Sequence, residues 1–188
     1  MKRKVMIILI YVGVFFLGFI TYNMFKTDDE AIFQKVINSQ GYTIKHIGKP
    51  EPLEFFIKPE WIAFNSGEEK KENKKLMERN NTTILLDMVI NRENDIHFNF
   101  HPTFNMNQKG GEFMYIDMIN DDGTFTSNTS PIDFALYDKN RNEIIIGAIG
   151  SGPESDFSFE IDKENQEQIR EGFYVRYSGF HLYKYTKN

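Results

Sequence analysis

Cysteine is absent from this chain of 188 residues. Its absence excludes disulfide bonds, thiolate metal sites, a cysteine nucleophile and lipid modification of an N-terminal cysteine. Three common signatures of catalytic or nucleotide-binding sites are missing as well: a phosphate-binding glycine loop, an HExxH motif and a Ser-x-x-Lys motif. The sequence therefore predicts no catalytic residue, no metal ion and no cofactor.

Charged side chains are absent from residues 5–25, directly after the basic residues Lys2, Arg3 and Lys4. At about 1.5 Å rise per residue, a helix over this run is about 30 Å long, which is the hydrocarbon thickness of a bilayer. The run predicts a transmembrane helix by which the chain contacts the membrane. Basic residues concentrate on the cytoplasmic side of such helices, so we expect a cytoplasmic N-terminus and everything after residue 26 outside.

A cleaved secretory signal is the alternative interpretation of the same segment. Cleavage needs small residues at two positions before the cut, and the stretch from Ile20 to Phe25 offers no good pair. The apolar run is also longer than the usual 7–15 residues of a signal peptide. We therefore expect an uncleaved signal anchor and a single-pass protein of the cell membrane.

The part outside the membrane is acidic. Removing the three N-terminal basic charges from the net charge of −5 leaves −8. Nucleic acids and anionic lipid headgroups attract basic surfaces, so nucleic acid is not expected as a partner.

A short amphipathic helix is predicted over residues 28–40, ending at Gly41. Its apolar side chains recur at helical spacing and form one stripe: Ile32, Phe33, Val36 and Ile37. Two interpretations are open, a helix docked on the domain behind it and a membrane-proximal stalk.

From Tyr42 onward the hydrophobic pattern has a period of two, which is typical of strands. About eight such runs, separated by turn-forming residues and without strand–helix alternation, predict a mainly β fold with an antiparallel, sandwich-like sheet arrangement. The run 173–186 changes its apolar face at Ser178 and Gly179, which predicts a bulge or a tight turn. The predicted domains are an anchor over 1–26, a membrane-proximal helix over 27–41 and an extracytoplasmic β domain over 42–188.

The charged segment 66–81 interrupts this pattern. It contains four Glu and five Lys or Arg residues and almost no apolar side chain besides Leu76 and Met77. A solvated helix and a mobile insertion both fit this composition.

The clearest strand is 96–104, where apolar side chains at even positions alternate with polar side chains at odd positions. The polar row, as we call it, consists of His97, Asn99, His101 and Thr103. It is the candidate binding surface, because it would present four polar side chains on one exposed face of a stiff element. The two histidines lie four residues apart, about 13 Å along a strand, which is too far for them to bind one metal ion. Pro102 indicates a sheet edge or a strand end.

Three functions remain open. The first is a membrane-anchored module that binds a protein or another envelope component outside the cytoplasm. The second is an envelope enzyme whose carboxylates or histidines converge from distant strands, with Asp87, Asp117 and the polar row as candidates. The third is a structural subunit of a membrane complex. The absence of a catalytic set favours the first.

Overall fold

The computed structural model describes residues 17–18, 29–127, 129–152 and 156–188. The predicted membrane span 5–25 lies outside the described residues except for Leu17 and Gly18, which are helical. The span therefore stays a prediction. Among the described residues, no helix is long and apolar enough to cross a membrane.

After residues 17–18, the described part of the chain resumes with helix α1 at residues 29–37 and continues mainly as strands. The strands are β1 (Tyr42–Gly48), β2 (Leu53–Ile57), β3 (Glu69–Arg79), β4 (Thr82–Asn91), β5 (Asp95–Phe104), β6 (Gly110–Tyr115), β7 (Met118–Ile119), β8 (Phe125–Thr126), β9 (Phe134–Asp138), β10 (Glu143–Ile144), β11 (Ile149–Ser151), β12 (Phe157–Asp162), β13 (Phe173–Tyr177) and β14 (His181–Lys187). Short 3-10 helices lie at Pro59–Trp61, Pro131–Asp133 and Lys163–Ile169.

The prediction of a mainly β fold with antiparallel sheets is confirmed, and the number of strands is corrected. About eight were expected, whereas the described residues form fourteen. Part of the difference comes from runs that the sequence pattern treats as one strand. For example, the run 143–149 divides into β10 and the first residue of β11, and the run 112–119 divides into β6 and β7.

Two sheets form a sandwich around the main core. One has four strands in the order β10-β9-β13-β2, and the other has five in the order β11-β12-β5-β4-β3. Their inner faces meet through aromatic rings: Phe98 of β5 packs edge-on against Phe173 of β13, with ring centroids 5.2 Å apart, and Phe157 of β12 stacks on Tyr177 of β13 at 4.6 Å. The high aromatic content thus largely fills the core, where each ring removes a large apolar area from water.

A second hydrophobic cluster lies between α1 and a three-stranded sheet of order β1-β14-β6. Ile32, Phe33 and Val36 of α1 are buried there, and the Phe33 ring stacks on Phe104 with centroids 4.0 Å apart. The predicted apolar stripe therefore docks on the β structure, which decides between the two interpretations of this helix. Burying the stripe stabilises a helix too short to be stable alone.

The charged segment 66–81 is neither a solvated helix nor an insertion. It contains β3, which pairs with β4 through a turn at Asn80 and Asn81. Both turn residues have positive φ, 46° and 54°, a conformation that two-residue hairpins require and that Asn tolerates better than most residues. β3 is the edge strand of the five-stranded sheet. Its Lys and Glu side chains protect this edge from pairing with other chains, so a strand at this position can be highly charged.

The register break at Ser178 and Gly179 marks a change of sheet. β13 ends at Tyr177 in the four-stranded sheet, and β14 begins at His181 in the three-stranded sheet. The Ser178 backbone N–H donates a hydrogen bond to the Asp133 carbonyl oxygen, 2.9 Å away, which fixes the connection. This connection therefore leads directly from β13, which packs in the main core, to β14, which packs in the second cluster.

Candidate functional site

The polar row lies on the outer face of β5. The alternate side chains Ile96, Phe98 and Phe100 are fully buried in the main core. β5 is hydrogen-bonded to β4 on one side and to β12 on the other, so the row sits on a rigid inner strand. The ladder with β12 ends at Phe100, and Pro102 lies just beyond it, where no N–H is needed on that side.

The row is more enclosed than the sequence predicts. Thr103 is exposed, but His97, Asn99 and His101 are only partly accessible. The reason is a second set of polar side chains on the neighbouring strands, which packs beside the row. Each member of the row except Thr103 contacts a different carboxylate.

His101 and Asp156 form a hydrogen-bonded dyad. The Nδ1 atom of His101 lies 2.7 Å from Oδ1 of Asp156, the residue just before β12. When the carboxylate is ionised it can only accept, so Nδ1 donates in this hydrogen bond; in a neutral ring with this tautomer, Nε2 is then left as an acceptor. Nε2 makes no hydrogen bond to another described residue. Both side chains keep about a third of their surface accessible, 34% for His101 and 29% for Asp156.

A groove of about 380 Å³ adjoins this dyad. It lies between α1 and the ends of β4 and β5, and its walls include His101 and Thr103 from the polar row. The other lining residues are Asp29, Glu30, Phe33, Thr83, Leu85, Pro102, Phe104 and Asn105. Two of the ten are acidic and none is Lys or Arg, so the groove favours a ligand that carries positive charge or hydroxyl groups.

The other end of the row is closed by ion pairs. The Arg92 guanidinium contacts Oδ1 of Asp95 at 2.7 Å and Oε1 of Glu160 at 2.5 Å. His97 Nδ1 is 3.6 Å from the same Glu160 oxygen, too far for a hydrogen bond, and this buried nitrogen has no other partner among the described residues. Burial and the nearby Arg92 charge lower the pKa of His97, which keeps its imidazole neutral at pH 7.

The candidate carboxylates from the sequence do not converge. Asp87 lies beside the polar row, where its Oδ2 accepts a 3.4 Å hydrogen bond from the Asn99 side chain. Asp117 lies between β6 and β7, where its carbonyl oxygen accepts a hydrogen bond from the Tyr183 hydroxyl. His97 and His101 also have separate carboxylate partners. Of the polar row, His101 and Thr103 line the groove, and Asp156 is connected to it through its hydrogen bond with His101.

Sequence reasoning missed Arg92, Asp156 and Glu160. A signal for two of them is present, because Asp156, Ser158, Glu160 and Asp162 alternate with buried apolar residues in the same way as the polar row. Ser158 lies opposite Asn99 and Glu160 opposite His97 in the β5–β12 ladder. The pattern on β12 predicts a second polar face, but not which strand it faces.

Comparisons with known proteins add no further assignment. This chain matches no protein-family model, no curated protein and no solved structure. Any inference about its function therefore depends on the geometry of the groove and the polar row.

Proposed function

We propose that this protein is a membrane-anchored binding module whose groove beside His101 binds a basic segment of a neighbouring protein outside the cytoplasm. The observation that carries the proposal is the groove itself, which combines the His101–Asp156 dyad with an acidic rim on a rigid sheet. Asp29 and Glu30 at this rim would attract Lys or Arg side chains. Leu85 and Phe104 offer apolar surface to the stems of those side chains.

The location of the groove also supports binding close to the bilayer. Only residues 26–28 separate the predicted span 5–25 from Asp29 at the rim. Fully extended, this connection reaches about 14 Å. A groove so close to the membrane surface suits a partner in the same membrane, and anchoring raises the effective concentration of the two towards each other.

Site-specific photo-crosslinking in the native membrane tests the proposal. A photo-crosslinking amino acid replaces Thr103, which is exposed at the groove, and in a matched chain it replaces Ile132, which is 89% exposed in a 3-10 helix away from the groove. We expect the photo-crosslinking residue at position 103 to crosslink to one dominant protein, and the one at position 132 not to do so. Charge reversal of the rim by Glu30→Lys should weaken this crosslink. Equal crosslinking from both positions, or none from position 103, contradicts the proposal.

The anchor is tested separately by membrane fractionation. We expect the full chain to remain in the membrane fraction after an alkaline wash, and its β domain to be digested by protease added from outside the cell. A chain that is released by the wash, or protected from the protease, would contradict the proposed anchor or its orientation.

An envelope enzyme is the second candidate, and the His101–Asp156 dyad favours it. A carboxylate that holds Nδ1–H leaves Nε2 available to take a proton from a water molecule or a ligand hydroxyl. A base that takes a proton from water can support ester hydrolysis, in which the acyl group is transferred to water. A simple activated ester is the probe for this reaction. Hydrolysis that is lost in His101→Gln and retained in His46→Gln would favour the enzyme, and no hydrolysis above background would remove this support.

A further inference from the structure

A second pair of histidines lies outside the groove, on neighbouring strands of the three-stranded sheet. Nε2 of His46 in β1 is 3.2 Å from Nδ1 of His181 in β14. His181 is buried, with 5% exposure, whereas His46 is exposed. The two residues are 135 positions apart in the sequence.

A register shift in β1 accompanies the pair. His46 is opposite Tyr183, but Gly48 is opposite Leu182, so the ladder is irregular between His46 and Gly48. Such bulges bend a strand and re-aim the side chains next to them. Here the His46 ring, which is diagonal to His181 in the ladder, points its Nε2 at the His181 ring with ring centroids 5.2 Å apart.

The separation of the two nitrogens fits coordination of one metal ion. Two metal–nitrogen bonds of about 2.0–2.1 Å at the tetrahedral angle place their nitrogens about 3.3 Å apart. A hydrogen bond between the rings is the alternative, although 3.2 Å is at the long end for an N–H donor. The two explanations differ in what happens when metal is added.

The surroundings admit a cation from solvent. His46 and Tyr183 line an open groove of about 470 Å³, together with Lys45 and Asp121. Burial, the neighbouring His46 and Lys49 disfavour positive charge at His181, while Asp133 and Asp117 favour it. No set of three or more His, Asp or Glu side chains among the described residues is arranged to hold a metal ion. The ion would therefore have two protein ligands and would complete its coordination with water.

We propose that His46 and His181 form a two-histidine site for a divalent first-row metal ion. Imidazole nitrogen suits both Cu²⁺ and Zn²⁺, and Cu²⁺ binds more tightly to a given nitrogen site. This proposal is independent of the groove beside His101.

Titration of the full-length chain in detergent with Cu²⁺ alone, followed by electron paramagnetic resonance, tests the site. We expect one bound Cu²⁺ with splitting from two nitrogens, and competition by Zn²⁺. His46→Gln removes one ligand at an exposed position, so the fold should be retained. Removing a residue that only hydrogen-bonds to a metal ligand typically reduces metal affinity about 10- to 100-fold. Removing a ligand itself should therefore reduce the affinity at least about tenfold.

His101→Gln is the matched control, because it removes a partly exposed histidine elsewhere. We expect this variant to bind Cu²⁺ as the unmodified chain does. The proposal is overturned if the unmodified chain binds no Cu²⁺, if His46→Gln binds it equally well, or if only His101→Gln loses binding. The circular dichroism spectrum of each variant confirms that it is folded before its affinity is compared.

Discussion

Phe98→Ala tests the orientation of β5, on which the position of the whole polar row depends. Phe98 is fully buried, and its ring centroid lies 5.2 Å from those of Phe159 and Phe173. Truncating a buried Phe costs about 3–5 kcal/mol of unfolding free energy, because apolar contacts are lost and a cavity remains. Each aromatic pair adds about 0.5–1.5 kcal/mol beyond its buried area. We therefore expect a loss near the upper end, about 4–5 kcal/mol.

Urea unfolding of the full chain in detergent measures this loss. Trp61 is the only tryptophan and packs against the same core, so its fluorescence reports the transition. Thr103→Ala is the matched control on the same strand, and its loss should stay within about 0.5 kcal/mol because Thr103 is exposed. A loss below about 1 kcal/mol for Phe98→Ala, or equal losses for the two variants, would refute the orientation assigned to β5.

Three further predictions concern stability. Gly172 and Gly123 have nearly the same φ, +83° and +82°, but a β-carbon on Gly172 would lie 2.5 Å from the Phe56 ring, whereas one on Gly123 meets nothing within 4 Å. Gly123→Ala should cost about 1–2 kcal/mol in urea unfolding and Gly172→Ala about 1–3 kcal/mol more, and equal losses would contradict the steric reason. The pKa of His97 in the folded protein lies below its ordinary value of 6.5. The contribution of the neutral ring to the free energy of unfolding is therefore complete above pH 6.5 and is lost as the pH falls through the folded-state pKa. The urea midpoint of the unmodified chain should therefore fall more steeply below pH 6.5 than that of His97→Gln; parallel curves would show that His97 does not contribute. Asn81→Val places a β-branched residue at φ +54° and should cost about 1–2 kcal/mol by thermal unfolding, while an unchanged midpoint would mean that the hairpin tolerates another turn.

Local periodicity predicts most of the strands correctly, because it reports which face of a strand is buried. The predicted strand 96–104, for example, differs from β5 by one residue at its start. Strand β3 could not be found in this way, since it lies at an edge and none of its side chains is buried. The local signal in the sequence for the β3–β4 hairpin is the pair Asn80 and Asn81 at its turn.

The candidate site shows a different limit. Sequence alternation identifies the polar row, but its partners come from β4, from β12 and from the loop before β12, 55 residues further along the chain in the case of Asp156. Which strands become neighbours depends on the packing of the whole core. The alternation within one strand shows neither its partner strand nor the register in which the two strands pair. The histidine pair illustrates the same point more strongly, because His46 and His181 become neighbours only through the β1–β14 ladder.

The order β1-β14-β6 in the three-stranded sheet has a consequence for the order of folding. Among the described strands β1 pairs only with β14, so it has no sheet neighbour there until β14 has been synthesised. The hydrogen bond between Thr43 and Asn188 spans 145 positions of the sequence. Contacts so distant in sequence form slowly, because the intervening chain must first be brought together. Until then the apolar stripe of α1 has no completed surface to cover. A nascent chain would therefore expose Phe33 for most of its synthesis, and a chaperone bound there would protect it from aggregation.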